Sequence, residues 1–210
     1  MLRTLQAIVA AIQLCAPGVS DPDAVRFAKA LREQAQVHDF DPFTAVAMIH
    51  SESRFNPLAI SPDGEDYGLA QVRARHVGAC KKDKNPRRNP SVACRAVKER
   101  LLEPEESIRV MAELITSHRK LCRKMAGNSN MVSWLASYQG RNNAKEDRWC
   151  TPGDGTHDVI RYRDRLVREV TKRAKEIEAA DQAAAAQRRA QVADLGAEPA
   201  PVQAEPAAGG

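Results

Sequence analysis

Apolar residues recur at the spacing of an α-helix through most of the chain, and this periodicity limits the fold more than any other feature. The pattern is strongest after Glu103-Pro104, and it continues through Met131 to Tyr138 and from Asp158 to about Arg189. Two further helical patterns follow Asp21-Pro22 and Asp41-Pro42, and an acidic cap with proline in the first turn is a typical helix start. Strand-like alternation is nearly absent, so we predict a mainly α-helical protein.

Length and composition predict one domain with a tail. The chain has 210 residues, of which 43% are hydrophobic, and a second full domain would be hard to fit. We expect the folded domain over residues 21–178 and a helical extension with a tail over residues 179–210. From about Ala190 the sequence is mostly Ala, Gln, Pro and Glu. Because these residues offer no large apolar face to offset the entropy of ordering, we predict that this tail is disordered.

The first twenty residues have the pattern of a signal peptide. A single Arg3 precedes a mostly apolar run from Leu5 to Ala16, and Pro17-Gly18 follows it. The run is too short to cross a bilayer comfortably, so we expect no stable membrane span in the mature chain. This predicts export to the periplasm or the outside of the cell. A buried first helix is the alternative interpretation.

Cysteine usage also indicates export. Of five cysteines, Cys15 lies inside the predicted signal peptide, and the other four are Cys80, Cys94, Cys122 and Cys150. Four cysteines can pair in three ways, of which the sequential pairing closes the shortest loops. A zinc site using His76, Cys80 and Cys94 is an alternative, but no Cys-x-x-Cys or paired histidine spacing completes a ligand set. Reduced thiols are a third possibility. We therefore expect disulfides and no metal.

Charge and missing motifs exclude several classes of function. The net charge is +5, but only Lys81 to Arg88 forms a basic cluster, which we interpret as a solvated loop. We expect no nucleic acid partner. The chain lacks a phosphate-binding glycine-rich loop, a Gly-x-Ser-x-Gly elbow and a His-Glu-x-x-His motif. Nucleotide use, serine-hydrolase chemistry and zincin chemistry are therefore unsupported, and no cofactor is expected.

Glu52 occupies an unusual position for a carboxylate. It lies at i+3 from Ile49 and i+4 from Met48, along the boundary of the apolar stripe and near the end of its helix. Partial desolvation and the negative end of the helix dipole should both raise its pKa. A carboxyl that keeps its proton near neutral pH can act as a general acid. The alternative is an acid whose head reaches solvent or pairs with Arg54.

Several motifs around Glu52 are similar to those of a known enzyme family. They are Glu52-Ser53-Arg54-Phe55-Asn56-Pro57, Ser61-Pro62-x-Gly64, Tyr67-Gly68-Leu69-Ala70-Gln71-Val72, Ser107-Ile108 and Ala136-Ser137-Tyr138-Gln139-Gly140. Together with Tyr162 in the last helix, they resemble the lytic transglycosylases of the SLT type, which share a goose-lysozyme-like fold. The resemblance covers about residues 25–170.

The resemblance implies a helical domain with a sugar-binding groove that cleaves peptidoglycan glycan strands between N-acetylmuramic acid and N-acetylglucosamine. Glu52 corresponds to the catalytic acid, which also serves as the base when the muramic C6 hydroxyl attacks C1 to give a 1,6-anhydro product. The resemblance also implies that four side chains with hydroxyl or amide groups bind the substrate: Ser61, Tyr67, Gln71 and Tyr138. Small relatives often make space in the cell wall for a secretion, conjugation or pilus apparatus.

Two alternatives stay open at this level. Ordinary glycosidases use two carboxylates, and Asp63, Glu65 or Asp66 could hold a water and make the protein a hydrolysing muramidase. A catalytically silent glycan-binding or scaffold protein could also retain the fold. The chain is one residue longer than the common spacing between Gly64 and Tyr67, and one shorter at Tyr138-Gln139-Gly140. These departures affect the groove more than Glu52.

Overall fold

The computed structural model describes residues 4–195, with side chains described as far as residue 188. In this part of the chain the helices are α1 (Leu5–Cys15), α2 (Asp21–His38), α3 (Pro42–Ser53), α4 (Val92–Arg100), α5 (Pro104–Ala126), α6 (Met131–Tyr138) and α7 (Asp154–Leu195). Two short strands, β1 (Asp66–Tyr67) and β2 (Val72–Arg73), form an antiparallel hairpin. The prediction of a mainly α-helical protein is confirmed. The predicted disordered tail lies, beyond Leu195, outside the described residues.

The helix boundaries follow from capping. Asp41 caps α3, where its carboxylate accepts hydrogen bonds from the backbone N–H groups of Phe43 and Thr44. The start of α2 differs by one residue from the sequence prediction, because the hydroxyl of Ser20, and not Asp21, accepts from the N–H of Asp23. Helix α5 ends at Gly127, which adopts a left-handed conformation that glycine tolerates.

Helix α3 is the centre of the core. Eight consecutive residues from Pro42 to Ile49 are buried, so this helix is surrounded on all its faces rather than on one stripe. Helices α1 and α2 both contact it, and α2 also packs on α5. Only the last turn of α3 emerges from the core, and that turn carries Glu52.

The segment predicted as a signal peptide contains α1, which packs against α2 and α3. Ile8, Ala11 and Ile12 are fully buried within it. The hydroxyl of Thr4 caps its first turn by accepting from the N–H of Ala7. This arrangement agrees with the alternative of a buried first helix, while export stays a prediction. Among the described residues no helix is both long and apolar enough to cross a bilayer.

Two disulfides hold the segments that have little regular structure. Cys80–Cys94 joins a short 3₁₀ turn to α4, and Cys122–Cys150 joins α5 to the segment that precedes α7. The expected disulfides are present, and their pairing, which the sequence left open, is the sequential one. The zinc alternative is wrong because two of its three ligands form a disulfide. The basic cluster from Lys81 to Arg88 lies in an exposed loop between the first pair, as predicted.

The chain divides into two compact units, with the boundary after Val170. The first unit contains the core described above, including the buried Val159, Leu166 and Val170 of α7. In the second unit α7 continues to Leu195, and its described side chains are nearly all exposed. An exposed helix without an apolar stripe adds little buried surface to its own unit.

Candidate active site

Glu52 is a half-buried carboxyl at the last turn of α3. Burial, together with the smaller effect of the negative charge of nearby Asp66, raises its pKa from 4.5 to about 7. The raised pKa predicted from the sequence is confirmed. The alternative pairing with Arg54 is not found among the described residues, where that guanidinium is exposed. A group with this pKa can both donate and accept a proton near neutral pH.

The backbone turns sharply directly after Glu52. Arg54 and Phe55 both adopt left-handed conformations, with φ of 53° and 64°. Such conformations are costly for residues other than glycine and persist only where the surrounding structure holds them. The ring of Phe55 is buried and stacks on Phe27 of α2, with ring centroids 6.2 Å apart. This contact fixes the turn that leads the chain from Glu52 to the hairpin.

Ser61 organises the loop that precedes β1. Its hydroxyl donates to Oδ1 of Asp63 over 2.5 Å and accepts from the N–H groups of Asp66, at 2.9 Å, and Glu65, at 3.3 Å. Tyr67 closes the same loop, because its hydroxyl donates to the carbonyl of Gly64 over 2.9 Å. Both predicted substrate-binding residues therefore bond to the loop itself in this structure.

Gln71 lies at the tip of the β1–β2 hairpin. It adopts a φ of 46°, and its side-chain Nε2 donates to the carbonyls of Ala59, over 3.1 Å, and Gly68, over 3.0 Å. The hairpin lies very close to the chain that leads from α4 to α5. A Cβ added to Gly68 would lie 1.9 Å from the carbonyl oxygen of Leu101, so this position has room only for glycine.

Tyr138 connects the hairpin to α6. Its hydroxyl donates to the carbonyl of Ala70 over 3.0 Å. Burial raises the pKa of this phenol well above its usual range, and the negative charges of Glu52 and Asp66 act in the same direction. Tyr138 is therefore a neutral hydrogen-bond donor beside the Glu52 carboxyl. The side-chain oxygen of Gln139 accepts from the hydroxyl of Thr156 over 2.8 Å and so ties the end of α6 to α7.

His118 of α5 supports Tyr138 from behind. The two rings meet edge to face, with centroids 5.7 Å apart, and Nδ1 of His118 lies 2.7 Å from the hydroxyl oxygen of Ser137. Burial, together with the smaller effect of the neighbouring His76, lowers the pKa of His118 to about 4. The imidazole is therefore neutral at physiological pH and adds no charge beside Glu52.

The sequence interpretation assigned no role to two residues that shape the site. The buried hydroxyl of Ser107 accepts from the N–H of Ala70 over 3.1 Å, which joins α5 to the hairpin. Arg73 forms ion pairs with all three acids of the loop: Asp63, Glu65 and Asp66. The Ser107-Ile108 motif had pointed to the first position, whereas the second offers no pattern along the chain.

The structure thus brings Ser61, Tyr67, Gln71 and Tyr138 together around the loop and hairpin that adjoin Glu52. Their hydrogen-bond partners are groups of the protein itself, and their contacts with sugar stay predictions. A helical domain whose central helix ends in a sheltered carboxyl beside a neutral phenol has the features of an acid-catalysed glycan-cleaving enzyme.

The chain matches the family described as Transglycosylase SLT domain over residues 29–150, and it belongs to that family. The match covers more than half of the chain and includes the Glu52 motif, the hairpin and Tyr138. It implies a lytic-transglycosylase-like function that acts on peptidoglycan. Comparisons with curated proteins and with solved structures gave no match.

Proposed function

We propose that this protein is a peptidoglycan lytic transglycosylase that cleaves the β-1,4 bond between N-acetylmuramic acid and N-acetylglucosamine and leaves a 1,6-anhydro end. The observation that carries the proposal is Glu52, whose pKa of about 7 results mainly from burial and whose helix lies in the matched family domain. A pKa near the working pH favours a group that must give up a proton and take one back in each turnover.

In the first step Glu52 donates its proton to the oxygen of the glycosidic bond. The bond between that oxygen and C1 of the muramic sugar breaks, and positive charge develops on the ring. The Glu52 carboxylate then accepts the proton of the C6 hydroxyl while that oxygen attacks C1 and closes the anhydro ring. The cycle ends with Glu52 protonated again, so no water and no cofactor is consumed.

The ion pairs of the carboxylates between Ser61 and Tyr67 favour formation of the anhydro product over hydrolysis. A hydrolase of the ordinary kind needs a second carboxylate that activates a water or attacks the sugar. The three acids that the sequence offers for this role, Asp63, Glu65 and Asp66, all form ion pairs with Arg73. A carboxylate that accepts hydrogen bonds from a guanidinium has fewer free oxygen lone pairs for a water.

Substrate binding and compartment belong to the same proposal. We propose that substrate binding involves the hydroxyl and amide groups of four side chains, which can also bond to sugar hydroxyls and acetamido groups: Ser61, Tyr67, Gln71 and Tyr138. Two disulfides are typical of an oxidising compartment, which supports the periplasm or cell envelope as the location. A small domain of this kind would suit local opening of the wall for a secretion, conjugation or pilus apparatus.

Mass spectrometry of the fragments released from purified peptidoglycan tests the proposal. We expect soluble muropeptides with 1,6-anhydro ends from the wild type and at least a roughly hundredfold lower rate from Glu52→Gln. Reducing ends in place of anhydro ends would identify a hydrolase. If the folded wild type releases no fragments but still sediments with peptidoglycan, the protein is a binding module and the proposal is wrong.

A further inference from the structure

A separate cleft lies in the loop that follows α6. It has a volume of about 300 Å³ and is lined by residues 140–143 on one side and by Arg148, Thr151 and Pro152 on the other. Two of the lining side chains are arginines, and none of the described residues that line the cleft carries a carboxylate. A concave site with this lining favours a negatively charged ligand.

Backbone hydrogen bonds and a disulfide hold the loop around this cleft. The N–H of Asn143 donates to the carbonyl of Arg148 over 2.7 Å, and the N–H of Arg148 donates to the carbonyl of Asn143 over 3.0 Å, so the two sides of the loop pair with each other. Oδ1 of Asn142 accepts from the N–H of Cys150 over 3.0 Å, and Cys150 is bonded to Cys122 of α5. The cleft is therefore preorganised, which lowers the entropy cost of binding a ligand.

Arg141 is the cation of this cleft that lacks a counter-charge. Among the described residues no carboxylate forms an ion pair with its guanidinium, whereas Arg148 is paired with Glu146. The guanidinium carbon of Arg141 would lie 2.9 Å from a Cβ added to Gly153, so this side chain packs on the backbone that precedes α7. Arg141 is nevertheless exposed. A guanidinium that is held by packing and has no acidic partner is suited to bind a carboxylate through two parallel hydrogen bonds.

The chain connects this cleft directly to Tyr138, whose hydroxyl bonds to the hairpin of the candidate active site. Arg141 follows Tyr138 by three residues, and its N–H donates to the carbonyl of Ala136 over 2.9 Å. Three residues span at most about 11 Å. In peptidoglycan the acidic stem peptide leaves the glycan at the muramic sugar, and its carboxylates begin about three residue lengths, or about 11 Å, from that sugar. A glycan strand bound beside Tyr138 can therefore place a stem-peptide carboxylate in the cleft.

We propose that this cleft, through Arg141, binds a carboxylate of the stem peptide and thereby makes the enzyme prefer glycan strands that carry peptides. The identity of the ligand rests on the proposed function. Arg148 and Thr151 add a second cation and a hydroxyl on the opposite side of the cleft, where they can bond to the same carboxylate or to adjacent amide groups of the peptide. Arg141 is thus a specificity-determining residue and takes no part in proton transfer.

NMR titration of the full-length, nitrogen-labelled protein with a soluble stem tetrapeptide tests binding without turnover. We expect saturable shifts of the backbone amides of residues 140–143 and 148–151. The affinity should be about threefold to fivefold lower in Arg141→Gln, because one exposed charge-assisted contact is lost. Arg32→Gln is the matched control, since it removes the same charge from an exposed position on α2, and it should leave the affinity unchanged. The same peptide with amidated carboxyl groups should not bind.

Three results of this titration would overturn the inference. The first is equal binding of the amidated peptide, which also decides the question if Arg141→Gln does not fold, or an equal loss of affinity in Arg32→Gln. The second is acetate that produces the same shifts with the same affinity, because the cleft would then be a general anion site. The third is binding of phosphatidylglycerol vesicles at these residues without binding of the peptide, which would assign the cleft to a lipid headgroup.

Fragment release from two substrates separates this inference from the proposed function. The ratio of kcat/KM for soluble glycan strands with peptides to that for strands stripped of peptides should be about threefold to fivefold lower in Arg141→Gln than in the wild type. An unchanged ratio, with activity lost equally on both substrates, would indicate a structural role and overturn the inference. An inactive wild type that still binds the peptide through Arg141 would overturn the proposed function and leave the cleft a peptide-binding site.

Discussion

At the scale of single residues, the raised pKa that suits Glu52 for the proposed acid catalysis also lowers the free energy of unfolding. Its folded-state pKa of about 7 exceeds the value of 4.5 expected in the unfolded chain. As the pH rises above 4.5, the unfolded chain releases this proton first, so ionisation favours unfolding. The destabilisation grows until the pH passes the folded-state pKa and is constant above it. Below pH 4.5 both states hold the proton, and the cost disappears.

Replacing Glu52 by Gln should therefore stabilise the protein only at neutral and higher pH. We expect the free energy of unfolding to increase by at most about 3 kcal/mol at pH 8 and to be nearly unchanged at pH 4. Denaturant unfolding of both proteins at the two pH values measures the difference. Glu99→Gln, at an exposed carboxyl of α4, is the control and should have little effect at either pH. Equal stabilisation at pH 4 and pH 8 would contradict the argument.

The position of Glu52 could be predicted from sequence because a carboxylate on an apolar helix stripe is itself an anomaly. The cause of its raised pKa was predicted only in part. Burial was expected, but the contribution of Asp66 depends on how the hairpin folds back toward α3, which no periodicity encodes. Arg73 was missed for the same reason, since its three partners become neighbours only through the strand register and the loop closed by Ser61.

At the scale of elements, the long helices were predictable and the irregular segments were not. Asp41-Pro42 and Gly127 mark boundaries by capping chemistry that operates within a few residues. Helix α4 follows a stretch rich in Lys, Asn and Pro, and each strand has only two residues, so packing and a disulfide decide the conformation of this region. Such long-range constraints leave no local signature, and the hairpin that shapes the site was therefore not predicted.

The close contact of the hairpin with the α4–α5 connection gives a prediction at Gly68. An alanine there would place its Cβ 1.9 Å from the carbonyl oxygen of Leu101 and would have to adopt a φ of 74°. Because the obstacle is backbone, the hairpin must move, and we expect Gly68→Ala to destabilise the protein by about 3 kcal/mol or more and to impair fragment release. Thermal unfolding and the release assay measure the two effects.

Gly64→Ala is the matched comparison within the same loop. Gly64 also has a positive φ, of 70°, but nothing lies within 4 Å of an added Cβ. Only the conformational cost applies there, so a loss of about 1 kcal/mol is expected. Similar losses from the two substitutions would show that the contact with Leu101 is not what fixes the hairpin.

At the scale of the whole molecule, covalent links hold the parts of the chain that the core does not cover. Cys122–Cys150 closes a loop of 28 positions and Cys80–Cys94 one of 14. The chain-entropy estimate gives about 3 kcal/mol for the shorter loop and slightly more for the longer one. Both links end at helices that surround the site, α4 and α5, so their loss should also loosen the surroundings of Tyr138.

Replacing each cysteine pair by serine tests these links separately. We expect either double variant to lose about 3 kcal/mol of unfolding free energy under oxidising conditions, and the loss of Cys122–Cys150 to reduce fragment release more, because α5 carries His118 and Ser107. Chemical unfolding with and without a reductant measures the contribution of each bridge. A wild type whose stability does not respond to complete reduction would contradict the expectation.

The burial of α1 has a consequence for the order of events in the cell. Should residues 1–20 be the export leader that the sequence predicts, the same side chains that fill the space beside α2 and α3 would first have to be presented, unfolded, to a translocation channel. Folding of the domain before translocation would bury the signal sequence that directs its export. Removal of this leader would then expose apolar surface on the mature domain, and the timing of folding relative to translocation would determine whether the chain is exported.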